Sequence, residues 1–254
     1  MKTLVQRYML LLKALTTIVF LAALVMATQV ARADTATHLV ISEIQTAGGN
    51  AEDEFIELYN PTNSAISVEN WSIQFRIAST GTFYKKNFET GHSVPAYGFF
   101  LIARSGYDGT PSADMTHSTF SMASGGGSVF LVNDTTTLTS CDAASIVDKV
   151  AYGTGTYLCP EGTAAPAPAA NGSIERKPGA AQPDKGNGED TDDNSADFDT
   201  RTTSEPQNTS SPTEQPPTSI TLSSLTAHSS SPQPTFFRWQ WLALAGAVVF
   251  GGGA

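Results

Sequence analysis

Between Leu39 and Tyr152 the chain repeats one pattern: a short run rich in β-branched and aromatic residues, then a cluster of Gly, Asn, Asp, Pro or Ser. Leu39-Val40-Ile41-Ser42-Glu43-Ile44 stops at Ala47-Gly48-Gly49-Asn50, and Glu54-Phe55-Ile56-Glu57-Leu58-Tyr59 stops at Asn60-Pro61-Thr62-Asn63. Asn70 to Arg76 alternates, with Trp71, Ile73 and Phe75 on one face and polar residues on the other. Gly98 to Ala103 is continuously apolar, as a strand buried on both faces would be. Ser128 to Val132 and Ile146 to Tyr152 follow. No window of a dozen residues in this region carries apolar residues at helical spacing. The pattern predicts an all-β domain, a sandwich or barrel of short strands.

The flanks read differently. Lys2, Arg7 and Lys13, an apolar stretch from Ala14 to Ala27, and Ala31-Arg32-Ala33 form the pattern of a secretory signal over 1–33, with cleavage after Ala33. From Thr202 to Thr235, 17 of 34 residues are Ser or Thr and 6 are Pro, a composition too poor in apolar surface to offset ordering entropy. This predicts a disordered stalk, with the linker proper over 209–235. Residues 236–254, opening on Phe236-Phe237-Arg238-Trp239-Gln240-Trp241, predict an apolar helix serving as a membrane tail. The expected localisation is export to the cell surface, anchored through that tail, with secretion as the alternative.

Charge narrows the partners. The chain carries 14 Lys and Arg against 24 Asp and Glu, a formal charge of −10. Residues 1–33 hold four bases and no acid, so the remainder has 10 bases against 24 acids, or −14. Sequence-independent binding to nucleic acid needs the opposite balance. The basic residues Lys85, Lys86, Arg176 and Lys177 make at most a small patch. Gly125-Gly126-Gly127 lacks the Lys and Ser/Thr of a phosphate loop.

Three groups of residues have candidate chemistry. Cys141 and Cys159 are the only cysteines. In an exported chain they read as one disulfide closing a loop around Ile146 to Tyr152; a catalytic thiol would need a base, and His38, His92 and His117 sit in no nucleophile motif. Glu43 and Glu57 lie within strands, where a carboxylate pair can serve as general acid and base, or can face solvent or pair with Arg76 or Lys149. Asp190, Asp192 and Asn194, within a cluster of acids from Asp184 to Asp199, begin like a calcium loop. Ser195 and Arg201 then stand where that loop needs Gly and Glu. Calcium is the cofactor this loop would admit, and a solvated acidic loop is the plainer alternative.

The order of Ile41-Ser42-Glu43-Ile44, Asp53 to Pro61 with its Phe55-Ile56-Glu57-Leu58-Tyr59-Asn60-Pro61 run, Asn70-Trp71-Ser72-Ile73 and Val94 to Ile102 resembles the lamin-tail domain in its secreted bacterial form. Ile146 to Gly153, Ser173-Ile174-Glu175-Arg176 and Asp190 to Phe198 fall where that family has similar segments. The resemblance spans 37–208. It implies an immunoglobulin-like β-sandwich without known catalytic residues, a type of domain that nuclear lamins use as an interaction module at the end of a coiled-coil rod. This chain has no heptads, so filament assembly does not carry over. The expected function is a non-enzymatic surface module that binds an extracellular protein or glycan. The alternative is a metal-assisted extracellular hydrolase, or an accessory domain to one.

Overall fold

The computed structural model describes residues 35–178 and 185–216. The expected signal (1–33), most of the linker (217–235) and the apolar tail (236–254) lie outside the described residues. Among the described residues no helix is long and apolar enough to cross a membrane.

Among the described residues twelve strands form: β1 (Val40–Gln45), β2 (Phe55–Tyr59), β3 (Ile66–Ser67), β4 (Ser72–Ile77), β5 (Phe83–Asn87), β6 (Ser93–Val94), β7 (Phe99–Arg104), β8 (Met115–His117), β9 (Gly126–Val132), β10 (Ile146–Gly153), β11 (Ser173–Arg176) and β12 (Phe198–Arg201). One helical turn, α1 (Asn194–Asp197), precedes β12. One sheet has the order β12-β11-β1-β2-β7-β8, a second the order β10-β9-β4-β5, and β3 and β6 form a small ribbon. The pairings are antiparallel, except that β8 runs parallel to β7. The fold is the expected all-β, immunoglobulin-like β-sandwich.

Alternation sets the layers. Ile41, Ile44, Ile56, Leu58, Phe100, Ile102 and Ile174 of the first sheet meet Ile73, Phe75, Val129, Leu131, Val150 and Tyr152 of the second in one buried cluster. Trp71 packs at its margin. Asn70 is not part of the strand; it turns the chain with φ 65°. Gly127 is a close-approach position, since a Cβ there would lie 2.3 Å from the Phe75 ring.

An ion pair also spans the core. Arg176 of β11 and Asp148 of β10 point inward from opposite sheets and are 0% and 1% exposed at their side chains. Arg176 Nη2 donates to both carboxylate oxygens of Asp148, at 3.1 and 3.0 Å. The ladder between β1 and β11 pairs only Glu43 with Glu175 and Ile44 with Ile174. Beyond its end, the Ile41 N–H donates to Asp148 at 2.6 Å and the Ile41 carbonyl accepts from Arg176 Nε at 2.9 Å. The pair therefore finishes the hydrogen bonding of β1 where the sheet stops doing so. Arg176 cannot belong to a basic surface patch.

The outer face of the second sheet is also closed. Cys141 and Cys159 are bonded to each other, with Cα atoms 5.5 Å apart. Phe130, Val132, Leu138 and Cys159 form a separate buried cluster under the 133–145 loop. Gln74 fixes that loop by donating to the Thr136 carbonyl at 2.7 Å and accepting from the Leu138 N–H at 2.9 Å. Arg76 Nη1 lies 3.0 and 2.9 Å from the two sulfurs.

The segment after β12 departs from the expectation of disorder. Through Glu214 it lies against the outer face of the first sheet, held by side-chain and backbone hydrogen bonds that its Ser/Thr/Pro composition does not reveal. Replacing Cys141 and Cys159 together by Ala is expected to lower unfolding free energy by about 3 kcal/mol, from loop-closure entropy. Urea unfolding of the variant against oxidised wild type measures it.

Candidate functional site

Outward-facing positions on β1, β2 and β11 bring three carboxylates into a row. Glu43 is the cross-strand partner of Glu57 on one side and of Glu175 on the other. A bulge between Ile41 and Glu43 adds Ser42 to β1. That extra residue lets the Ser42 hydroxyl donate to Glu57 at 2.6 Å. The Ser173 hydroxyl donates to Glu43. Glu175 pairs with Arg201 at 2.8 Å and accepts from Asn187 at 2.9 Å.

Glu43 and Glu57 do not face solvent and do not pair with Arg76 or Lys149. They are 1% and 2% exposed. The strap from Ser204 onward crosses them, with the Glu205 N–H donating to Glu43 at 3.3 Å and the Gln207 N–H to Glu57 at 2.5 Å. Burial pushes the Glu43 carboxyl up to about 7, against the hydrogen bond from Ser173 and with help from the charge of Glu175. Burial and then the charge of Glu43 hold Glu57 well above the ordinary carboxylate range. Two like charges in one dry site favour a shared proton. An 860 Å³ groove beside the strap is lined by Glu175, Asn187, Arg201, Glu205 and Glu214 among others, and a 200 Å³ cleft by Asp53, Phe55 and Tyr107 among others. Neither Glu43 nor Glu57 lines either cavity.

The acidic loop serves the fold. Asp193 caps α1, accepting from the Ser195 N–H at 3.0 Å, and also accepts from the Thr163 N–H at 3.2 Å. Asn194 is buried, accepts from the N–H groups of Ala151 and Glu161 at 3.0 and 3.1 Å, and donates to the Lys149 carbonyl at 3.1 Å. Asp197 accepts from the Thr191 N–H and hydroxyl, at 3.1 and 2.6 Å. Asp190 lies 3.5 Å from Arg176 and 3.6 Å from His38. Asp192 is exposed with φ 57°. The three calcium candidates thus point to different tasks: Asp190 toward Arg176, Asn194 into β10, Asp192 into solvent. Among the described residues no three His, Cys, Asp or Glu side chains are grouped to hold a metal ion.

Sequence reasoning missed the acids gathered around Arg176. Besides Asp148, they are Asp190, Asp197 at 3.7 Å, and Glu161, whose carboxyl burial and the charges of Asp148 and Asp190 push up to about 8. Among the described residues the histidines do not complete a catalytic group. His38 pairs with Asp190 and His92 tilts against Phe100 at 5.1 Å. His117 lies 4.1 Å from the Phe120 ring with a buried, unbonded Nδ1, and burial lowers it to about 4.

Residues 32–154 match the Lamin Tail Domain family. The chain carries a lamin tail domain. No curated protein matches the chain. The matched stretch ends just past β10, so β11, α1, β12 and the strap lie beyond it, although β11 supplies Arg176 to the lamin tail domain's core.

Asn194→Ala is expected to destabilise the domain by about 3 kcal/mol, because it leaves several buried backbone groups without partners. Asp192→Ala is expected to change stability by less than about 0.5 kcal/mol. Millimolar Ca²⁺ should leave the Tm of wild type unchanged, as measured by differential scanning fluorimetry.

Proposed function

We propose that this chain is a non-enzymatic interaction module, exported, displayed at the cell surface on its C-terminal segment, and acting by binding an extracellular protein or glycan. Lamin tail domains are an immunoglobulin-like interaction family, which supports binding over catalysis. The observation that carries the reading is the state of Glu43 and Glu57. The residues best suited to acid–base work are sealed under the strap, each bonded to a serine hydroxyl and a backbone N–H. A general acid or base must instead reach a substrate proton. The cysteines are spent in a disulfide, and the acids of the 190–197 loop cap a helical turn or surround Arg176.

The described surface also bears on the kind of partner. Tyr84 and Tyr157, at 39% and 42% exposure, are its exposed large apolar residues. A large greasy interface has no place there, so recognition rests on polar loops and rims, with nucleic acid disfavoured by the charge of −10.

Two experiments test this. Chemical crosslinking on intact cells of the native host, followed by mass spectrometry, is expected to recover a surface protein or glycoconjugate. A screen of ester, glycoside, peptide and phosphodiester substrates, with and without Ca²⁺ or Mg²⁺, is expected to show no turnover. Turnover abolished by Glu43→Gln or Glu57→Gln in a folded protein would establish the hydrolase instead.

A further inference from the structure

The strap is held in a way that links it to protonation. Beyond its two amide bonds to Glu43 and Glu57, Asn208 donates to the Ser112 carbonyl at 2.9 Å and the Thr209 hydroxyl to Asp114 at 2.5 Å. The Glu214 N–H donates to the Tyr97 carbonyl at 2.8 Å, and the Tyr59 hydroxyl donates to the Glu214 carbonyl. These contacts carry the chain across the outer face of the six-stranded sheet, from β12 toward β7 and β8. They are polar and lie along a surface, so the strap can separate without opening the core of Ile41, Ile56, Phe100 and their neighbours.

We propose that residues 204–214 are a pH-released latch, docked on the sheet while Glu43 and Glu57 hold a proton between them and freed when that proton leaves.

The charges around the pair support this. On β11, Glu175 adds a like charge; on β12, Arg201 is divided between Glu175 and Glu205, at 2.8 and 2.9 Å. The strap contributes Glu205 and Glu214, the latter engaged by the Gly186 N–H and Gln207. Tyr107, in the loop after β7, lies in the field of Asp53, Glu43 and Glu57. None of these supplies an uncommitted cation that would hold two carboxylates ionised.

The sign follows from what docking does. The strap's amides favour the ionised pair, whereas burial of the site disfavours it and is the largest effect on both groups; the latch requires the strap, which crosses both carboxyls, to supply the deciding part of that burial. With the strap lifted, the outer face meets water and the carboxyls return toward their ordinary value. Docking then gains its full contribution at low pH and loses it as pH rises from the ordinary carboxylate range through about 7, the value for docked Glu43.

Hydrogen exchange with mass spectrometry on the full-length chain, from pH 5 to 8.5 and corrected for intrinsic rates, tests the latch. The Glu205, Gln207, Thr209 and Glu214 amides should lose protection about tenfold or more between pH 5 and about 7, since each pKa unit between docked and free states is a factor of ten. Peptides from β9 and β10 should not change. In Glu43→Gln/Glu57→Gln, which mimics the protonated pair, strap protection should be independent of pH; Glu43→Gln alone should reduce the slope, and serves if the double variant does not fold. Wild-type protection that stays level or rises with pH overturns the proposal. So does an undiminished fall in the folded variants.

Discussion

Arg176 and Asp148 meet between the layers of the sandwich, one from each sheet, with almost no exposure of either side chain. A guanidinium and a carboxylate in that position are tolerable only when nearly all their hydrogen-bonding capacity is met. Here Arg176 also donates to the carbonyls of Ile41 and Glu189 and lies over the Phe198 ring at 4.8 Å, while Asp148 takes the Ile41 N–H. Removing either partner leaves a buried charge. The pair ties β10 of one sheet to β11 of the other, completes the hydrogen bonding at the end of the β1 ladder, and reaches the α1–β12 segment through Phe198.

A second constraint acts on the outer faces. Each sheet carries buried polar residues there: Ser72, Gln74 and Ser128 on one, Glu43, Glu57 and Ser173 on the other. A bare sheet would present these to water. The chain instead covers them, with the 133–145 loop, anchored by the disulfide at Cys141, on one side and the strap on the other. The two covers differ in chemistry. Gln74 is neutral and bonds its loop in any protonation state, whereas the strap rests on carboxylates crowded beyond what burial permits in ionised form. The disulfide side is held by a covalent bond and neutral groups, and the strap side, in the proposed latch, is where pH acts.

Much of the sandwich was legible because its central strands are amphipathic or wholly apolar. β1, β2, β7, β9 and β10 were each visible as a run with turn residues after it, and the disulfide followed from compartment and count. The edge strand β5, with Tyr84, Lys85 and Lys86, was not, because an exposed strand of mixed polarity has no period to read. The same limit hid β3, β6, β8 and β12, which are short. The site was harder. Glu43 and Glu57 were recognised as candidates, but alternation alone could place them only outward, and what covers the outward face comes from some 150 residues away. Arg176 read as surface charge because no local signal marks an inward arginine; its partner Asp148 is 28 residues distant. The strap read as disordered because composition measures apolar burial, and this segment is held by polar bonds.

The direct measurement of the central claim is a double-mutant cycle on the core pair, followed by urea unfolding. Arg176→Met and Asp148→Leu should each cost about 3–5 kcal/mol, by leaving the other charge buried and unpaired. The double variant should recover most of that loss, giving a coupling energy above about 2 kcal/mol. Single variants that each cost less than about 1 kcal/mol and simply add would contradict the account, because the two sheets would then be held together by apolar packing alone.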